Sequence, residues 1–355
     1  MLAYYVLVLM PFLAFILDKK HRGKAFLGLF FIILFLLLSF RGISNGIDLA
    51  NYESIFNDIS KRSWSQVFRK EYMTNIELGY ALLNKLVAQF NGNFRVVLVV
   101  VACLSTLPYF MLFKEESDFS ILIMALFLSV FPFTMIFSGL RQSIAMGLAV
   151  PAYLATRKHN FLSFILIVLF VYLFHESALV MLAIYPVYHL KIKPSWLWVI
   201  LPVMFLVLLF NEQIFKIVLT LANQKYVDRY GKIVKTGAYT MLLLFVLFLL
   251  FAFVLPDERK LSDEVRGLRS ILVLVVAVQL FAPISQMVMR IDYYFIIFIP
   301  LLIPKIIKSA KVEYKSLASL ANIIMSGFFI AYFFLNAYTG ADILQVFPYV
   351  PIWAS

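Results

Sequence analysis

Four short polar clusters carry the residue types that could do chemistry. They are Arg41-Gly42 with Asp48 and Tyr52 downstream, Ser138-Gly139-Leu140-Arg141-Gln142-Ser143, His175-Glu176-Ser177, and Arg290-Ile291-Asp292-Tyr293-Tyr294. Arginine grips phosphate oxygens through a planar fork of donors and stays charged at any relevant pH. A histidine or carboxylate can take the proton of an attacking hydroxyl. Arg41, Arg141 and Arg290 together suit a lipid-linked diphosphate at headgroup level, with His175 or a neighbouring carboxylate accepting a proton from a sugar hydroxyl. Plainer roles compete. Asp48 directly precedes a helical pattern and reads equally well as an N-cap. The three arginines stand at the ends of apolar runs and could snorkel to headgroups. Arg290 and Asp292 could pair with each other, His175-Glu176 could be a wetted kink, and Tyr293 and Tyr294 could belong to an aromatic belt.

What separates these clusters is apolar. The chain has 355 residues, 63% of them hydrophobic and 14% charged, against about 45–50% and 25% in soluble domains. One water-exposed core cannot hide that much apolar surface, so the chain is expected to be an all-α polytopic membrane protein. Counting runs near the ~20 residues that cross a bilayer gives about twelve spans, near 2–17, 25–40, 94–113, 119–137, 140–155, 161–174, 178–190, 196–210, 238–255, 268–282, 293–307 and 316–338. The first run lacks a basic flank and a small-residue cleavage site, so it is read as a span and not as a signal peptide. Residues 1–355 are taken as a single transmembrane domain.

Basic residues in short loops set the orientation. Lys19 to Lys24, Arg157-Lys158, Lys191 with Lys193, and Lys305 to Lys315 all follow odd-numbered spans. Those loops are expected in the cytoplasm. All four polar clusters follow even-numbered spans and so fall on one outward face, where ionisable groups at membrane depth usually line a cavity. The outward loops 41–93 and 211–237 are the sizeable ones. In the first, Leu49, Tyr52, Ile55, Phe56 and Ile59 recur at helical spacing, as do Tyr80, Leu83, Val87 and Phe90, which predicts amphipathic helices lying on the membrane surface.

Several classes are excluded or disfavoured. The net charge of +12 belongs to span flanks and anionic lipid, not nucleic acid. The one cysteine, Cys103, rules out an internal disulfide and a cysteine metal cluster. A glycine-rich phosphate loop, a His-x-x-x-His or His-Glu-x-x-His site and an Asp-x-Asp pair are all missing, so no metal and no cofactor are expected. Transporters with alternating access favour midplane sites and paired halves, which this sequence does not display.

Taken in order and spacing, Arg41-Gly42 with Asp48 and Tyr52, the 138–143 segment, His175-Glu176-Ser-Ala and Arg290-Ile-Asp-Tyr-Tyr resemble the EpsG family of Wzy-type polymerases of exopolysaccharide, capsule or O-antigen. The resemblance covers roughly residues 38–300 and leaves out the tail after residue 339. It implies a GT-C-like fold with an outward polar cavity, in the bacterial cytoplasmic membrane. It also implies a metal-independent glycosyltransferase that polymerises oligosaccharide repeat units linked to undecaprenyl diphosphate. The growing chain would pass from its lipid diphosphate to the non-reducing sugar of an incoming unit. The family's diphosphate arginines map onto Arg41, Arg141 and Arg290. The catalytic base is ranked His175, Glu176, then Asp48 and Asp292, with Tyr52, Gln142, Asp292 and Tyr293 as substrate contacts. Membrane lipid, a flippase and a chain-length regulator are the implied partners. A flippase or other transporter of the same lipid-linked substrate, a glycan ligase and a membrane acyltransferase are the alternative activities.

Overall fold

The computed structural model describes residues 1–17, 20–72, 76–221, 237–339 and 343–354. Among these the regular structure is helical, with no strand beyond two isolated bridges, Arg41–Pro351 and Pro256–Ala310. The chain divides into two compact units, Met1–Leu179 with Asn322–Ser355, and Val180–Ala321. Most of the 211–237 loop, expected to face outward, falls at residues 222–236, outside the described residues.

The first unit is built from α1 (Leu2–Leu17), α2 (Arg22–Phe40), α3 (Leu49–Lys61), α4 (Trp64–Phe68), α5 (Leu78–Gln89), α6 (Phe94–Phe113), α7 (Ser120–Ser129), α8 (Phe133–Ser138), α9 (Leu140–Arg157) and α10 (Phe161–Tyr172). Asn93 starts α6 by accepting a hydrogen bond from the Arg95 amide, and Asn160 starts α10 by accepting one from the Ser163 amide. Such side-chain caps satisfy donors that the first helical turn leaves orphaned. Between α6 and α7 a 3-10 turn over Lys114–Phe119 leaves Glu116 in a non-helical conformation. That turn divides a run of 36 apolar-rich residues, which as one straight helix would be about 54 Å long, far more than a single crossing needs.

The two helical patterns of loop 41–93 form α3 and α5, but the structure revises where they lie. Leu49, Tyr52, Ile55, Phe56 and Ile59 are all buried, and they share one apolar cluster with Tyr80, Val87, Val97, Val101, Leu140 and Ile144. The stripe therefore faces α5, α6 and α9 and does not rest on a bilayer surface. Burial of each such side chain contributes about 1.5–3 kcal/mol relative to exposure, enough to hold a short helix that would be marginal alone.

The second unit contains α11 (Ile184–Leu190), α12 (Leu197–Leu209), α13 (Asn211–Leu221), α14 (Tyr239–Val254), α15 (Asp263–Gln279), α16 (Gln286–Ile296), α17 (Ile299–Lys308) and the start of α18 (Lys315–Thr339), whose remainder belongs to the first unit. Helix α15 is its buried axis and packs against α11, α14, α16 and α17. Its Arg269 is 1% exposed, pairs with Glu258, and lies 4.4 Å over the Phe253 ring.

Among the described residues, four helical runs are by length and composition apolar enough to cross a membrane: Arg22–Phe40, Phe94–Ser129, Asp263–Ile284 and Val312–Thr339. The number rises to six if each of two bent pairs is one span, Glu176–Leu190 with Pro194–Leu209 (116°) and Met287–Ile296 with Ile299–Lys308 (43°). Leu2–Leu17, Phe161–Tyr172 and Tyr239–Val254 are shorter apolar helices. Of the twelve expected runs, four to six thus qualify as spans among the described residues, and the others are short or bent apolar helices.

Candidate functional site

The first unit gathers Tyr52, Arg141 and His175 around a residue that the sequence did not single out, Glu77. Its carboxylate accepts from the Arg141 guanidinium through Oε2, and Oε1 lies 3.1 Å from His175 Nδ1. Oε1 also accepts from the Glu176 amide at 3.1 Å. Arg141 Nε donates to the Tyr52 hydroxyl at 3.3 Å, and the guanidinium sits over that ring. The side chains of Arg141 and His175 are each 23% exposed and that of Glu77 10%, so the cluster is sheltered yet open to solvent on one side.

Local sequence explains each placement. Gly139 separates α8 from α9 with a backbone that is not helical, which puts Arg141 in the first turn of α9. A cation there opposes the helix dipole, and a nearby anion offsets a cost of about 0.3–1 kcal/mol. Glu77 supplies it. Glu77 is the N-cap residue of α5, in extended backbone, and two residues on, the Gly79 amide donates to the Leu173 carbonyl at the end of α10, 2.7 Å away. A Cβ on Gly79 would stand 2.7 Å from that same oxygen. Only glycine permits this approach, and the approach delivers Glu77 to His175.

The electrostatics agree. Burial alone would raise the Glu77 carboxyl, but the hydrogen bond from His175 and the charge of Arg141 outweigh it and hold the group at about 2. Glu77 is thus an anion at any physiological pH and can only accept hydrogen bonds.

Asp48 is the N-cap residue of α3, although its side chain makes no capping hydrogen bond. Its carboxylate instead accepts from the Ser138 hydroxyl at 3.0 Å while its own amide donates to that oxygen at 3.3 Å. Asp48 therefore ties the 41–48 loop to the segment that launches Arg141. Gly46, at φ +140° and close to the Phe137 carbonyl, allows the loop to make that turn. Gln142 is buried and Glu176 exposed.

Arg41 departs from the expectation of an open cavity. It is 1% exposed, donates through Nη1 to the Leu38 carbonyl at 2.7 Å, and packs over Phe137. It caps the end of α2, where carbonyls lack intrahelical partners. Its Nε and Nη2 are buried with no acceptor. The C-terminal segment covers this loop: the amides of Gly42 and Ile47 donate to Val350 and Leu344, and the Asn45 side chain to Val346. The tail, which carries no motif of its own, is what encloses Arg41.

Arg290, Asp292 and Tyr293 lie on α16 in the second unit. A helix turns 290 and 292 to different faces, so the local pair weighed from sequence does not form: Arg290 is exposed, whereas Asp292 is fully buried with neither carboxylate oxygen hydrogen-bonded. Tyr293 is half-buried and Tyr294 fully buried.

Sequence reasoning missed Glu77 because a single acid before an amphipathic pattern is an ordinary helix start. The available signal was Glu77-Leu78-Gly79, an acid at the N-cap with a glycine in the first turn, which marks close backbone contact. Compared with known proteins, the chain matches the model of the EpsG family over residues 24–350. No curated protein and no solved structure matches it.

Proposed function

The chain belongs to the EpsG family, a family of Wzy-like polysaccharide polymerases, and from that premise we propose that it polymerises oligosaccharide repeat units carried on undecaprenyl diphosphate. Transfer takes place on the outer face of the cytoplasmic membrane. A hydroxyl of the incoming unit's non-reducing sugar attacks the anomeric carbon of the growing chain. The new glycosidic bond forms as the bond from that carbon to the diphosphate oxygen breaks, and the lipid diphosphate leaves with the electron pair. The hydroxyl proton passes to His175. Arg141 holds the diphosphate and stabilises the charge that it gains on leaving. Asp48 orders the loop that leads to Arg141, and the Tyr52 hydroxyl holds the guanidinium in place. The energy of the diphosphate linkage makes a nucleotide unnecessary, and the guanidinium takes the charge-stabilising part that a metal would otherwise play.

The observation that supports this reading best is the sheltered pairing of the Arg141 guanidinium with an imidazole 3.1 Å from the shared carboxylate. It sets a phosphate-gripping fork beside a proton acceptor. The test is purified protein in lipid vesicles with one lipid-diphosphate-linked repeat unit, chelator present and nucleotide absent. A ladder of repeat multiples that disappears with Arg141→Ala is the expected result. Unchanged monomer with a matched unit would contradict polymerisation, and translocation of that lipid would then indicate a transporter.

A further inference from the structure

We propose that Glu77 is a positioning residue that fixes His175 in the tautomer with its proton on Nδ1, leaving Nε2 as the atom that accepts the acceptor hydroxyl's proton. The proposal rests on the reading of His175 as the base and specifies which nitrogen acts and what aims it.

The argument is one of donors and acceptors. Three groups converge on one carboxylate: the Arg141 guanidinium at Oε2, and at Oε1 both the Glu176 amide and His175 Nδ1, each at 3.1 Å. The first two can only donate. With Arg141 against it and 90% of its side-chain surface covered, Glu77 stays ionised and offers only lone pairs. An unprotonated Nδ1 would place lone pair against lone pair at 3.1 Å, which is repulsive. Nδ1 therefore carries the hydrogen, and a neutral imidazole then has its basic lone pair on Nε2.

The neighbouring groups fit this arrangement. From α9, Arg141 is engaged by Glu77 and by the Tyr52 hydroxyl. From the segment that bears His175, Glu176 is exposed and contributes its amide to the same carboxylate. Glu77 is also fixed along the chain, since the Gly79 amide is bonded to Leu173, two residues before His175. Aim and tautomer of the imidazole thus follow from the register of α5 against the end of α10. When the hydroxyl proton reaches Nε2, the imidazolium formed faces a carboxylate already in place, with no reorganisation needed at the moment of transfer.

A purely structural Glu77, serving only as the counterion of Arg141, makes a different prediction. Its loss would weaken the grip on the lipid diphosphate and raise the donor KM while leaving the ring unaffected. The two roles separate in the full chain labelled with [15N]histidine and held in lipid nanodiscs. The sequence has four histidines, and the resonance that disappears in His175→Gln identifies the ring. At about pH 8, above the usual imidazole range, the wild type is expected to show Nδ1 protonated and Nε2 bare. Glu77→Gln, which can turn its amide N–H toward the ring, is expected to shift the population toward the Nε2-protonated form. With lipid-linked substrate, the same variant is expected to lose about 100-fold in kcat, the scale of a general base out of place, with donor KM little changed and partial rescue in Glu77→Asp. An Nε2-protonated ring in the wild type, or the same tautomer in both proteins, would overturn the proposal. So would a loss in Glu77→Gln confined to KM. Absence of polymer from the wild type would remove the functional reading instead, and the tautomer would still decide the role of Glu77.

Discussion

Two arginines of similar motif context have opposite environments. Arg141 is partly exposed and tied to Glu77 and Tyr52, whereas Arg41 is enclosed at the end of α2 with two nitrogens lacking acceptors. Their replacements should differ accordingly. Arg141→Ala removes a fork beside the imidazole and releases a sheltered carboxylate, and polymerisation is expected to fall about 10²–10³-fold, as for loss of one donor to developing charge. Steady-state transfer of a lipid-linked unit measures it. Glu77 carries the pH dependence. Its folded value of about 2 lies below the ordinary 4.5, so the stability it contributes is complete above about pH 4.5 and is lost as pH falls toward 2. The gap in Tm between wild type and Glu77→Gln is therefore expected to be widest near neutrality and to close below about pH 3; a gap that does not vary with pH would contradict this. Arg141, His175 and Asp48 could be found by residue type and spacing. Glu77 could not, because its importance arises from partners 64 and 98 positions away, and no short-range pattern encodes them.

At the scale of elements, the site depends on α5 meeting the end of α10. Gly79→Ala forces a Cβ against the Leu173 carbonyl, and overpacking of this kind costs about 1–3 kcal/mol. Lower thermal stability together with lost activity is expected. Gly327, in the interior of α18, has nothing within 4 Å of the equivalent Cβ, and its change to alanine should be neutral or stabilising by up to about 1 kcal/mol. Similar thermal shifts for the two would contradict the close approach. The helical periodicity of 49–59 and 80–90 was legible, but the partner of each apolar face was not. Hydropathy reports that a stripe must be buried, not whether lipid or protein buries it, and here it is α6 and α9. Helix α9 illustrates the same point. Thirteen of its eighteen residues are buried, so neighbouring helices cover it and it can tolerate the polarity of Arg141, Gln142 and Ser143.

At the scale of the whole molecule, composition alone was enough to specify a helical membrane protein, because no soluble core could take so much apolar surface. The number of crossings was less accessible. Breaks such as the 3-10 turn at Lys114–Phe119 and the 116° bend before Leu197 divide apolar runs at points where the composition scarcely changes. Nor does the sequence indicate that acids of the 257–264 loop neutralise particular bases, Asp263 with Lys191, Glu264 with Lys305 and Glu258 with Arg269. These pairs account for acids within a basic flank. The proposed sidedness can be checked in a Cys103→Ser background. A cysteine at Ser65, exposed in α4, is expected to react with an impermeant maleimide applied from outside, and one at Lys158, exposed after α9, only once the membrane is opened. The reverse pattern would place the site in the cytoplasm.

The central claim is that glycosyl transfer takes place at the Arg141–Glu77–His175 cluster. Its most direct test is the rate of the first transfer, two lipid-diphosphate-linked repeat units becoming one dimer, compared between wild type and His175→Ala in the same vesicles. The account predicts a loss of about 10²–10⁴-fold in kcat, the range for removal of a general base, with donor KM and thermal stability little changed. A His175→Ala protein that forms the dimer at the wild-type rate would show that the chemistry lies elsewhere.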